Sequence, residues 1–214
     1  MSSERKPLLN PIDRVSEIVF GVLMALSFTG ALSVATAGHQ EVRTMMFTAL
    51  GCNLAWGLVD GVMYLVRTAT ERRRKKTLLA QLRLTNDRPV AHSMITDALP
   101  PLFAGIVPPA TLDALHQRLR TVIEPTVRLG GSDYAAAFGV FALVVLATFP
   151  VVIPFIFISK IVLALRVSNL LAIITLFIGG AALGRYTGGP VWVYGLAMSG
   201  IGVALLAMII ALGG

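Results

Sequence analysis

The sequence predicts an all-α integral membrane protein with five transmembrane helices and a cytoplasmic helical insert between the second and third. Of its 214 residues, 56% are hydrophobic and only 14% are charged, which is too little polar surface for a soluble domain. Five apolar runs approach or exceed the roughly 20 residues that cross a hydrocarbon core. Eleven of the eighteen Lys and Arg residues lie within residues 67–132, between the second and third runs.

Residues 1–14 form a polar, basic tail in which two prolines discourage regular structure. The first predicted span covers residues 15–38. It is longer than the roughly 7–15 apolar residues of a secretory signal, so we expect it to be retained as a membrane helix. A short polar loop at residues 39–43 is predicted to lead into the second span.

The second predicted span covers residues 45–66 and contains a single charge, Asp60. A carboxylate inside a membrane helix costs roughly 2.5–3.5 kcal/mol, so Asp60 should face protein, a water-filled cavity or a bound cation. Asn53, Gly57, Asp60 and Tyr64 follow a 4-3-4 spacing and share one helix face. Gly57 and Gly61 form a GxxxG pair that lets another helix approach closely.

Residues 67–132 form the predicted insert. Residues 68–84 favour a helix, and Leu112, Leu115 and Leu119 share one face of an amphipathic helix. Residues 91–106 are too interrupted in their apolar pattern, which Pro100-Pro101 breaks, to span a membrane, so we expect a docked or interfacial helix there. Pro108-Pro109 breaks the chain again. The lone cysteine excludes an intrachain disulfide and a Cys-rich metal site.

Residues 133–214 hold the last three predicted spans, at 134–158, 161–183 and 191–212. Pro150 and Pro154 should kink the third span, which neighbouring helices must accommodate. Gly180 and Gly184 form a second GxxxG pair. The basic insert predicts a cytoplasmic N-terminus by the positive-inside rule, with added attraction to anionic lipid headgroups. Nucleic-acid binding is disfavoured because no aromatic residues interleave with the basic run.

This layout resembles the vacuolar iron transporter (VIT) family, also called the CCC-type family. The sequence is similar to the family in the first span, in the proline-containing third span and at the close of the fourth: Val19-Phe20-Gly21, Phe149-Pro150 to Phe155, and Gly184-Arg185-Tyr186-Thr187-Gly188. Residues 13–21, 53–57 and 59–64 look more specifically like a divergent bacterial subgroup. The resemblance implies a homodimer in the bacterial inner membrane that exports Fe²⁺ or Mn²⁺ in exchange for protons, with no resident cofactor.

The same resemblance implies an ion path of acidic and methionine side chains on the first two spans. We therefore take Asp60, Glu17, Met63 and Asn53 as candidate metal ligands, because carboxylates and softer sulfur ligands suit transition metals. Three of these four residues also have a structural interpretation. Asp60 could be a buried acid bonded to Asn, Tyr or Arg, Glu17 could pair with Arg14 or cap its helix, and Met63 could serve packing alone.

Two departures from the family pattern keep a second function open. The family has Asn-Asp-Gly in its first span, whereas the corresponding place in this sequence lies near Leu23-Met24-Ala25. The family also has Gly-Glu-Tyr in its second span, which Met63-Tyr64 matches only loosely. These departures favour a non-transporting scaffold or regulatory protein of the same fold, whereas the polar face around Asp60 favours transport. No nucleophile–base pattern, phosphate loop or HExxH motif points to an enzyme.

Overall fold

The computed structural model describes residues 9, 11–32, 39–123 and 126–212, and the regular elements in these ranges are helices. They are α1 (Pro11–Leu32), α2 (His39–Leu84), α3 (Arg88–Ala98), α4 (Pro101–Ala104), α5 (Pro109–Thr121), α6 (Gly131–Phe157), α7 (Ile161–Thr187) and α8 (Val191–Ala211). Most of the predicted tail and the end of the first predicted span, residues 33–38, lie outside the described residues. Where the tail is described, the prediction that Pro11 discourages regular structure is wrong, because α1 begins at Pro11, and proline suits the first position of a helix.

Helix α2 is longer at both ends than the second predicted span. The loop predicted at residues 39–43 is wrong, because the helix begins at His39 and continues without interruption to Leu84. Gln, Glu and Arg in that short polar segment are good helix formers, and polarity alone does not end a helix. Between Gly61 and Leu84 the chain has no proline or glycine, so nothing in the sequence stops the helix at residue 66.

The chain divides into two compact units. Unit 1 comprises Met1–Tyr64 and Gly131–Gly214, and unit 2 comprises Leu65–Gly130. In the described part of the chain, three helices are long and apolar enough to cross a membrane, namely α6, α7 and α8. The spans predicted at 15–38 and 45–66 are not among these three and stay predictions.

The core of unit 1 packs α1 against α6 and α7. Val22, Leu26, Val151 and Leu176 are fully buried at the centre of this cluster. Helix α1 comes close to α6 at Gly21, where an added Cβ would lie 2.7 Å from the carbonyl oxygen of Val144. Only a residue without a side chain permits this approach.

The proline-containing part of α6, an uninterrupted helix from Gly131 to Phe157, receives a hydrogen bond from α7. The buried Ser168 hydroxyl donates to the carbonyl oxygen of Val151 at 2.6 Å, within the turn that precedes Pro154. Proline removes a backbone donor and disturbs the carbonyls of the preceding turn. Ser168 therefore adds a hydrogen bond from a neighbouring helix beside the carbonyl of Pro150, which lacks its helical donor because Pro154 has no N–H.

Unit 2 has its own hydrophobic core. Leu82 of α2, Ala91 and Ile95 of α3, and Leu112 of α5 are buried together. The remaining predicted leucines of α5, at positions 115 and 119, pack against this cluster, so the amphipathic face predicted there is confirmed. The core is fixed further by the buried His116, whose Nε2 lies 2.8 Å from the carbonyl oxygen of Leu82.

We predict that Leu82→Ala destabilises unit 2 by about 2–5 kcal/mol, because it opens a cavity in a packed core. Leu84→Ala is the matched control on the same helix, since the Leu84 side chain is 83% exposed. Its effect should stay within about 0.5 kcal/mol. Hydrogen exchange of the amides of α3 and α5 in the full chain measures the stability effects of both substitutions. Equal exchange rates in the two variants would contradict the assignment of this core.

Candidate functional site

Helix α2 packs against α6 along the face that carries the first GxxxG pair. An added Cβ at Gly57 would lie 3.1 Å from the carbonyl oxygen of Phe141. At Gly61 it would lie 3.0 Å from the carbonyl oxygen of Ala137. Both distances are tighter than ordinary contacts, so the predicted close approach of a second helix beside Asp60 is confirmed.

One turn further towards the start of α2, this face carries a buried polar contact. Asn53 is 2% exposed and Thr148 of α6 is fully buried. The Asn53 Nδ2 donates to the Thr148 Oγ1 at 2.5 Å, and the Thr148 Oγ1 in turn donates to the carbonyl oxygen of Val144 at 3.2 Å. This bond uses the amide nitrogen and not Oδ1, the amide atom that cations bind.

Asp60 lies on α2 between the two close-packed glycines. Its side chain is partly exposed, but its Oδ2 atom is enclosed by protein. One turn later, Tyr64 packs with Leu9 and with Ala136 and Val140 of α6. The predicted 4-3-4 face is therefore a continuous seam between α2 and α6, which we call the α2–α6 seam: Asn53, Gly57, Asp60, Gly61, Tyr64 and Thr148.

The other two candidate ligands lie outside this seam. Met63 is 49% exposed, and so is separated from the buried side of α2 on which Asn53 lies. Glu17 is a partly buried residue of α1. Helix α1 contacts α2 through Phe20 and Trp56, whose ring centroids lie 6.3 Å apart in an edge-to-face arrangement.

Among the described residues, no group of three or more His, Cys, Asp or Glu side chains is placed to hold a metal ion. The structure thus brings Asp60 and Asn53 onto one seam and leaves Met63 outside it. The roles of Asp60, Glu17, Met63 and Asn53 as metal ligands stay predictions.

Thr148 is the seam residue that the sequence analysis missed. A signal for it exists in the sequence: between Tyr134 and the end of α6, Thr148 is the one polar side chain in an otherwise apolar helix. A lone hydroxyl in such a helix usually bonds its own backbone or a neighbouring helix. The sequence does not show that its partner is Asn53, which precedes it by 95 positions.

We predict that Thr148→Val destabilises unit 1 by about 1–2 kcal/mol, because it leaves the Asn53 amide nitrogen buried without this acceptor while keeping the side-chain volume. Thr175→Val in α7 is the control, since its hydroxyl bonds only the Leu171 carbonyl oxygen of its own helix. Unfolding in mixed micelles measures both. A double variant with Asn53→Leu should recover part of the loss, and strict additivity would argue against the bond.

The profile of the VIT family matches residues 70–214 of this chain. No curated protein matches the sequence. The matched range begins within α2 and includes α3 to α8, whereas α1, Asn53 and Asp60 precede it. Since the match spans more than half of the 214 residues, the chain belongs to the VIT family.

Proposed function

We propose that this protein exports a divalent transition metal, Fe²⁺ or Mn²⁺, from the cytoplasm in exchange for protons. Membership of the VIT family carries the general part of the proposal, because members of this family transport metal ions and are not enzymes. The buried polar contact and the acid on the α2–α6 seam support a path for the ion along α2.

In this proposal, the carboxylate of Asp60 is the central ligand. A charged group within an apolar helix is costly, and binding a cation offsets that cost. The Oδ1 of Asn53 adds a neutral oxygen on the same seam, Glu17 adds a second carboxylate from α1, and Met63 adds a sulfur that suits Fe²⁺ or Mn²⁺ less strongly than oxygen does. Protons compete with the metal for the same carboxylate oxygens, which provides the exchange.

We place five spans in the bacterial inner membrane, with the N-terminus and the insert at residues 67–132 in the cytoplasm. The distribution of basic residues supports this orientation, since eleven lie in the insert and only Arg43, Lys160 and Arg166 lie on or near the opposite side. We further propose a homodimer, as the family resemblance implies.

Transport is tested with the purified full chain in liposomes that contain a metal-quenched dye and a pH-sensitive dye. Fe²⁺ or Mn²⁺ is added outside under a proton gradient. Metal-dependent quenching with proton movement in the opposite direction supports the proposal. Quenching without proton movement would overturn the proton coupling alone. If the folded protein produces no quenching at all, the proposal of transport is overturned.

The second candidate function is that of a non-transporting scaffold or regulatory protein of the same fold. Leu23-Met24-Ala25, at the position of the family's Asn-Asp-Gly, favours it, because these apolar side chains supply no oxygen ligand. A folded protein that shows no flux of either metal in the liposome assay would support this candidate.

A further inference from the structure

Unit 2 contains a cavity of about 850 Å³ between α2 and α3. The α2 wall includes Thr70, Arg74, Thr77 and Gln81. Their 4-3-4 spacing places them on one face of the helix. Two hydroxyls, a guanidinium and an amide can all donate hydrogen bonds, so this wall presents a row of donors to the space in front of it.

Two further cations, Arg73 and Lys75, flank this row and also line the cavity. Both are exposed, as is Arg74. In the part of unit 2 that the structure describes, no carboxylate lies within ion-pair distance of these three cations. The preceding Arg72 is different, because its Nη1 donates to the carbonyl oxygen of Arg128 at 2.9 Å and so holds the chain that follows α5.

The cavity is not lined by cations alone. Glu71 and Asp97 also contribute, so three cations against two acids leave a net charge of +1. Asp97 accepts a hydrogen bond from Ser93 of its own helix at 3.5 Å. On the α3 side, Met94 and Ala98 add an apolar surface. A ligand that fits this wall has an anionic head that accepts several hydrogen bonds, next to a less polar part.

We propose that this cavity binds a phosphate group, carried by an anionic lipid headgroup or by a small free phosphate compound. Phosphate has several strong acceptor oxygens, and arginine binds it through paired N–H groups. In the sequence, the basic run follows the end of the apolar stretch at residue 66 by six positions. Lys and Arg clusters directly after a membrane span are typical of binding to anionic lipids.

The test measures binding to the purified full chain in a neutral detergent, with three probes. They are short-chain phosphatidylglycerol, short-chain phosphatidylcholine and inorganic phosphate. The variant Arg73→Gln/Arg74→Gln should weaken binding of the anionic probe by about 10- to 30-fold. Arg118→Gln/Arg120→Gln is the matched control, since it removes the same charge from exposed positions on α5 outside the cavity.

Saturable binding of phosphatidylglycerol, weakened only by the cavity variant, supports the lipid headgroup. Saturable binding of inorganic phosphate that is likewise weakened only by the cavity variant supports a free phosphate compound. Equal weakening by both double variants, or equal binding of phosphatidylcholine and phosphatidylglycerol, would overturn the site. Circular dichroism and thermal unfolding of both variants show whether a loss of binding reflects a loss of fold.

Discussion

Asp60→Asn is expected to abolish metal-driven proton flux in liposomes, with at least about a hundredfold loss of the metal-dependent rate. The amide keeps the size of the carboxyl group. In its position between Gly57 and Gly61, it can still form hydrogen bonds. It carries no charge to attract a divalent cation, and it has no proton to exchange for one. The variant therefore separates the proposed chemistry of Asp60 from its packing.

The matched control for this variant is Asp87→Asn. Asp87 precedes α3, is exposed and makes no side-chain capping bond. This change also removes one negative charge, and it should leave transport at the rate of the unaltered protein. Full metal-driven proton flux in Asp60→Asn would show that the assignment to Asp60 is wrong, whereas loss of flux in both variants would point to a general effect of charge.

The helical architecture could be predicted from local sequence because apolar runs and helix breakers are local features. Helices α6, α7 and α8 begin or end close to the limits predicted from hydropathy, since Gly188-Gly189-Pro190 and the residues around Lys160 interrupt the runs. The start of α2 was missed for the opposite reason. Residues 39–43 are polar, but they contain no residue that opposes a helix.

Only the α2 half of the α2–α6 seam could be predicted from the sequence. The 4-3-4 pattern on α2 identifies Asn53, Gly57, Asp60 and Tyr64 as one face, because helical spacing is fixed by backbone geometry. The pattern does not identify the helix that packs there. That the partner is α6, and that Thr148 meets Asn53, depends on the packing of segments far apart in sequence. Met63, three residues from Asp60, does not belong to the predicted face, and its 49% exposure agrees with a position outside the seam.

Gly180→Ala is expected to destabilise the packing of α7 against α8 by about 3 kcal/mol. An added Cβ would overlap the carbonyl oxygen of Tyr194 and would lie 2.8 Å from Cγ of Met198. A backbone oxygen cannot rotate away as a side chain does, so the two helices must separate. The separation also weakens contacts around Gly184, where an added Cβ would lie 3.1 Å from Cα of Val191.

Gly200→Ala on α8 tests whether this loss comes from helix contact or from the substitution itself. Apart from its chain neighbours and its own helix backbone, no atom of the described residues lies within 4 Å of a Cβ at Gly200. This control should be neutral or should gain up to about 1 kcal/mol, because alanine favours a helix more than glycine does. Unfolding of the purified full chain in mixed micelles measures both variants. If Gly180→Ala is as stable as Gly200→Ala, the close contact between α7 and α8 at Tyr194 is wrong, and the second GxxxG pair then has another partner.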